Sequence, residues 1–230
     1  MRTRDGIRRG LRLAVAALGT VFIAVHLWGL GLAVLPVHGT LNMMMRPAGS
    51  DVRQDWVPLE RISPHLLHAV IAAEDSRFCQ HGGIDFQAVG DALEDNRSGG
   101  RRRGGSTLTQ QTAKNVFLWN GGGYARKALE AWMALYIDSV WTKRRTLEVY
   151  LNVAEWGDGL YGAEAAAQAR FGKPASELTA YESALLAAVL PSPNKWRVDP
   201  PGPYVRGRAG TLQQRARVVA DEGYAACATG

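Results

Sequence analysis

The chain has 230 residues, is 47% hydrophobic and carries a formal net charge of +6. That length accommodates one soluble domain once any membrane segment is subtracted, and two cysteines exclude a disulfide scaffold. The positive balance suits nucleic acid, lipid head groups or a diphosphate, but Arg2, Arg4, Arg8, Arg9 and Arg12 account for much of it and no nucleic-acid module pattern appears, so nucleic acid is not the expected partner.

Residues 13–37, "LAVAALGTVFIAVHLWGLGLAVLPV", contain no charged side chain. At ~1.5 Å rise per residue this stretch exceeds the ~30 Å hydrocarbon core of a bilayer and reads as a transmembrane helix. The arginines before it predict a cytoplasmic basic tail at 1–12 and a working domain on the far side of the membrane. A cleaved signal peptide shares the basic start, but its apolar core usually runs about 7–15 residues and ends at a small-x-small site, for which "VLPVHG" is a poor match. His26 reads as a polar residue inside the helix, since no second ionisable group accompanies it. In an oxidising compartment Cys79 and Cys227 are permitted to pair, although nothing in the sequence requires it.

Residues 38–58 form a polar, proline-containing connector with a methionine cluster at Met43 to Met45. At "SPHLLHAVIAAED" a helix is expected, with Ser63 as cap, Pro64 in the first turn, an apolar stripe of Leu66, Leu67, Val70 and Ile71, and Glu74 and Asp75 at its far end. The glycine and arginine stretch from Ser98 to Gly105 reads as a mobile loop whose charge faces water. Further helices are expected over Thr107 to Phe117, over Arg126 to about Val140 after the Gly121 to Gly123 interruption, and through "TLEVYLNVAEW". Two more cover Ala163 to Ala169 and "LTAYESALLAAVL", the second with a Thr179/Glu182 capping box. Pro191 and Pro193 stop it, and a basic helix from Tyr204 to about Ala220 closes the chain. No alternating strand pattern or internal repeat appears, so the fold class is all-α.

Several groups could carry chemistry. A helix starting at Ser106 or Thr107 after the Gly104–Gly105 turn presents backbone N–H groups and a positive dipole end suited to an anion, with Gln111 and Lys114 further along. It is not a Walker loop, and by itself such a turn is more often plain structure. Lys127 and Glu130 share a helix face and would ordinarily be a surface ion pair beside Arg126. Glu74 follows "AVIAA"; in a partly dry setting its pKa would rise and it could serve as a general acid or base.

Four segments in order, "EDSRFCQHGGID" (Glu74 to Asp85), "GGSTLTQQTAKN" (Gly104 to Asn115), "RKALEA" (Arg126 to Ala131) and "TLEVYLNVAEWGDGLYGAEAAAQARFGKPASELTAYESALLAAVLPSP" (Thr146 to Pro193), carry a strong resemblance to the peptidoglycan glycosyltransferases, most closely the monofunctional biosynthetic transglycosylases. It covers roughly Leu59 to Arg217. The resemblance implies a lysozyme-like, two-lobed helical domain at 59–230 that polymerises lipid II into glycan strands with inversion and release of undecaprenyl diphosphate. It matches Glu74 to the base that deprotonates the 4-hydroxyl of the incoming lipid II, and Glu130 to a second glutamate that supports the donor diphosphate or its metal, a divalent cation such as Mg or Mn. Lys114, Arg126 and Lys127 match basic residues near the diphosphate, and Asp75, Ser106, Thr107 and Gln111 fall among the substrate-binding positions. The partners implied are lipid II, the growing strand, the bacterial inner membrane holding a single-pass anchor with its domain in the periplasm, and division or elongation proteins.

The sequence departs from the family at Gly121 to Gly123, where relatives often carry an arginine, and at Cys79, where an aromatic is common. "SPNK" at Ser192 to Lys195 imitates a transpeptidase motif, but it is flanked by proline and no Lys-Thr-Gly follows, so transpeptidase activity is not expected. Two alternatives stay open at this level: a lysozyme-like lytic enzyme and a non-catalytic, membrane-anchored glycan-binding protein.

Overall fold

The computed structural model describes residues 2–47, 49–98 and 104–229. Arg101, Arg102 and Arg103 lie outside them. The chain divides into two compact units, one ending at Leu35 and the other beginning at Pro36.

The first unit is a single helix, α1 (Arg2–Gly31). Its Gly6–Gly31 stretch contains an 18-residue window of mean hydropathy 2.0 and is long and apolar enough to cross a membrane. Leu13, Leu18, Phe22 and Leu27 are all exposed along it. The helix takes in the basic tail and stops short of the expected Val37, because Pro36 offers no N–H and disfavours helical backbone at the residue before it. His26 Nδ1 lies 2.7 Å from the Phe22 carbonyl, one turn back.

In the second unit, the expected connector is folded. It holds α2 (Leu41–Met44), capped by Thr40, and the two-residue strand β1 (Arg53–Gln54). Then come α3 (Pro64–Glu74), α4 (Phe86–Arg97), α5 (Leu108–Phe117), α6 (Gly123–Val140) and α7 (Lys143–Val153). The strands β2 (Glu155–Gly157) and β3 (Leu160–Tyr161) follow, and the helices α8 (Ala163–Phe171), α9 (Ala180–Val189), α10 (Pro203–Asp221) and α11 (Ala226–Thr229) complete the unit.

The helix expected to run through Trp156 ends at Val153, and the residues beyond it enter a small sheet. Among the described residues its order is β1-β3-β2, with β1 parallel and β2 antiparallel to β3. Strands this short show no alternation in sequence. Gly159 makes the hairpin possible: at φ +74° a Cβ would stand 2.0 Å from the Asp51 carbonyl oxygen. Asn152 ties in the connector, accepting from Val57 N at 2.9 Å and donating to Val57 O at 2.9 Å.

The helices form two packing groups. In one, α3 lies against α9 and α10, and Leu66, Val70, Ile71, Leu186, Val189 and Ala209 are buried together. In the other, α5 packs on α6 and α7. The sequence explains most helix starts. Thr107 and Thr179 form capping boxes with Gln110 and Glu182, while Asp85 and Thr142 cap α4 and α7. Ser63 is the exception: Pro64 occupies the first turn and the Ser63 hydroxyl donates to Leu178 O at 2.8 Å instead of capping α3. Cys79 and Cys227 form a disulfide, joining the segment after α3 to α11.

Candidate active site

Glu74 is the last residue of α3, and its spacing from Val70 and Ile71 places it at the end of the buried stripe. Burial raises its pKa. Opposing that are a hydrogen bond from Gln111 and the charges of Arg208 and Lys114, while Asp75 adds to the rise. Gln111 Nε2 donates to Glu74 Oε2 at 2.8 Å, and the Tyr150 hydroxyl lies 3.4 Å from Gln111 Oε1.

Asp75, next in sequence, faces a different way. Its Oδ2 accepts the Leu108 N–H at 2.9 Å, and both its oxygens lie within 3.0 Å of His81 Nε2. The anion at the start of α5 is therefore a side chain of the protein itself. Two neighbouring donors are satisfied as well: Gln110 N bonds Thr107 Oγ1 at 3.1 Å, and Thr107 N bonds Gln110 Oε1 at 3.0 Å. Of the helix-end amides expected to attract a phosphate, those of Leu108 and Gln110 are therefore taken up within the protein. Thr107 also donates to Gly83 O at 2.6 Å and is buried, so its polar groups are committed to structure.

Three cations lie near α5. Lys114 follows Gln111 by three residues and so shares its face. Burial lowers the Lys114 pKa; Arg126 and Lys127 push the same way, and Glu130 and Glu74 oppose it. Among the described residues, none is seen to take up the Lys114 ammonium in a hydrogen bond or ion pair.

Glu130 on α6 is 3% exposed and is held between two cations. Its Oε2 meets Arg126 Nη1 at 2.5 Å, and its Oε1 meets Lys127 Nζ. Lys127 reaches on to Ser106 Oγ at 2.7 Å, pinning the loop before α5, and Arg126 Nε bonds the carbonyl of Gly121. The glycine run thus supplies a backbone acceptor that steers Arg126. With both oxygens of Glu130 in ion pairs, and with no group of three or more His, Cys, Asp or Glu side chains that could hold a metal among the described residues, the donor set does not fit a resident divalent cation.

Glu74 lines one cavity, and its hydrogen-bond partner Gln111 lines another. One of about 260 Å³ is lined by Glu74, Arg77, Ser106 and Thr107. The other, of about 230 Å³, is lined by Gln111, Lys114, Asn115, Tyr150 and Asn42 from α2. The folded connector therefore forms part of a wall.

The structure gathers Glu74, Gln111 and Lys114 on one face, and Ser106, Arg126, Lys127 and Glu130 into an adjoining ion-pair cluster. Asp75 and Thr107 act as braces. Sequence reasoning passed over Tyr150, although "TLEVYLNVAEW" contains it, and Arg208, one arginine among several in a basic helix. Their proximity to Glu74 depends on how α7 and α10 pack.

The Transglycosylase family model matches residues 41–222. Among similar curated proteins, each named biosynthetic peptidoglycan transglycosylase, one from Rhodospirillum centenum is 49% identical over 96% of this chain and 96% of its own length. Those from Caulobacter vibrioides and Pseudomonas aeruginosa are 47% and 48% identical, covering 96% and 86% of this chain and 97% and 86% of their own lengths.

Proposed function

The chain belongs to the transglycosylase family, and from that membership we propose that it polymerises lipid II into the glycan strands of peptidoglycan. The observation that carries the site assignment is the Glu74 carboxylate, which lines one cavity and is bonded by Gln111, a residue lining a second, with the ammonium of Lys114 one turn further on. A polymerase must bring two lipid-linked sugars to one base, and a cavity at Glu74 with a second at its partner Gln111 suits that task.

In this reading Glu74 removes the proton from the 4-hydroxyl of the acceptor sugar. The oxygen attacks the anomeric carbon of the growing strand, the bond from that carbon to diphosphate breaks, and the new linkage forms with inverted configuration. Undecaprenyl diphosphate leaves as an anion. Lys114 meets that developing charge, and a partly buried cation with no partner among the described residues stabilises it because solvent screens the interaction less than at the surface. Arg126 and Lys127 add to the field, and Glu130 positions them. No step requires a metal. A lytic enzyme would deliver water and would have no use for this cationic cluster.

The anchor suits a substrate that stays in the bilayer. We place residues 1–12 in the cytoplasm, the span at about 13–37 in the inner membrane, and the domain from 59 onward in the periplasm. The Cys79–Cys227 disulfide supports that side, since such bonds persist in oxidising compartments. We propose no transpeptidase activity, because the Ser192 to Lys195 stretch is a proline-flanked turn.

The test is conversion of purified lipid II to polymer by the full chain in detergent, beside Glu74→Gln. Polymer from the wild type and none from the variant is expected. Polymer at wild-type rate from the variant would remove Glu74 as the base; shortening of preformed strands by the wild type would replace the polymerase with a hydrolase.

A further inference from the structure

Tyr150 is one of the largest fully buried side chains in the protein, on the inner face of α7 beside Leu147 and Leu151. A phenol is costly to enclose unless its hydroxyl finds a partner. Here, among the described residues, the partner it faces is Gln111 Oε1 at 3.4 Å. The other end of that amide donates to Glu74 at 2.8 Å.

A glutamine side chain between two oxygens can stand either way round. With Nε2 toward Glu74, the glutamate is an ionised acceptor and Tyr150 donates to Oε1. With the amide reversed, Oε1 faces Glu74, which must then carry a proton to donate, and Nε2 faces the phenol. In that second state the phenolic hydrogen loses Oε1, and the structure offers it no other acceptor among the described residues. Phenols also donate better than they accept. The first arrangement is therefore favoured as long as the hydroxyl is present and protonated.

We propose that Tyr150 is a positioning residue: by occupying Gln111 Oε1 it turns the amide N–H toward Glu74 and keeps that carboxylate in the proton-accepting state. This rests on the reading of Glu74 as the base. Burial holds the Tyr150 hydroxyl well above the ordinary tyrosine range, so it remains a donor throughout the working pH. The other charged groups acting on Glu74 are Asp75 just after α3, Lys114 on α5 and Arg208 on α10, and none of them is hydrogen-bonded to the Gln111 amide among the described residues.

The test is a pH titration of the Glu74 carboxyl in the full chain by difference infrared spectroscopy, the band being identified by its loss in Glu74→Gln. Tyr150→Phe should raise the Glu74 midpoint by about one pH unit, the scale of one hydrogen bond to a charged group. The acidic limb of the polymerisation rate should move with it at unchanged KM for lipid II. Replacing Tyr150 by 3-fluorotyrosine, nearly the same shape but a stronger donor, should lower the midpoint, an opposite shift that lost packing would not produce. In a Gln111→Ala background Tyr150→Phe should add no further shift. A midpoint unmoved by fluorotyrosine, or an equal shift with Gln111 absent, overturns the proposal. Because the titration reads ionisation and not turnover, it decides this point even if the wild type makes no polymer, an outcome that would instead remove the polymerase reading.

Discussion

The Asp75 carboxylate accepts the backbone N–H of Leu108 at 2.9 Å, so two adjacent acidic residues at one helix end do different work. Asp75 welds the end of α3 to the start of α5, and through His81 to the loop between α3 and α4. Glu74 is left as the carboxylate that Gln111 bonds at the cavity wall. That junction aligns Glu74 with Gln111, one turn into α5.

Asp75→Ala should act mainly on stability. It orphans the Leu108 N–H and the facing His81 nitrogen, each a buried polar group costing about 1–3 kcal/mol. At about 2–4 °C per kcal/mol for a domain of this size, the melting temperature in detergent should fall by several degrees. An unchanged melting curve would show that the junction does not hold the two helices.

Lys114→Met should separate activity from stability. The fold carries this partly buried ammonium against its preference, as its lowered pKa shows. Removing the charge should raise the melting temperature while the polymerisation kcat drops about 100-fold, the scale of one lost transition-state electrostatic contact. A variant with full kcat would exclude Lys114 from the leaving-group site.

Glu74 makes a pH prediction with a definite sign. Its folded pKa lies above the ordinary 4.5, so the native state binds the proton more tightly than the unfolded chain does. Its contribution to stability is fully present below the unfolded pKa and is lost as pH rises through the folded value. Activity runs the other way, because the base must be ionised: the rate should fall as pH drops through that same folded value. Glu74→Gln should melt above the wild type at neutral pH, with the gap closing toward pH 4. A gap independent of pH would show that burial does not perturb Glu74.

The disulfide should stabilise the native state. Cys79 and Cys227 are 148 residues apart, and a bridge closing so long a loop contributes on the order of 2–4 kcal/mol. Reduction, or Cys79→Ser with Cys227→Ser, should lower the melting temperature by roughly 5–15 °C and expose α11 to protease. Arg144 Nη1 also holds α11 through Ala228 O at 3.1 Å, so that contact should loosen with it.

Much of this was legible in sequence because it is local. The charge-free span, the Thr107 and Thr179 capping boxes, the stripe of Leu66, Leu67, Val70 and Ile71, and the end position of Glu74 all follow from residue types at helical spacing. Ordered motifs were enough for the family. Tertiary packing decided the rest. Two-residue strands leave no periodic trace, so the connector became part of the domain only when Arg53–Gln54 paired with Leu160–Tyr161. The sequence alone determined that a glycine turn enters a helix with anion-seeking amides. Only the fold determined that Asp75 fills that place while Lys114 stays open, because a hydrogen bond across 33 residues depends on where two helices meet.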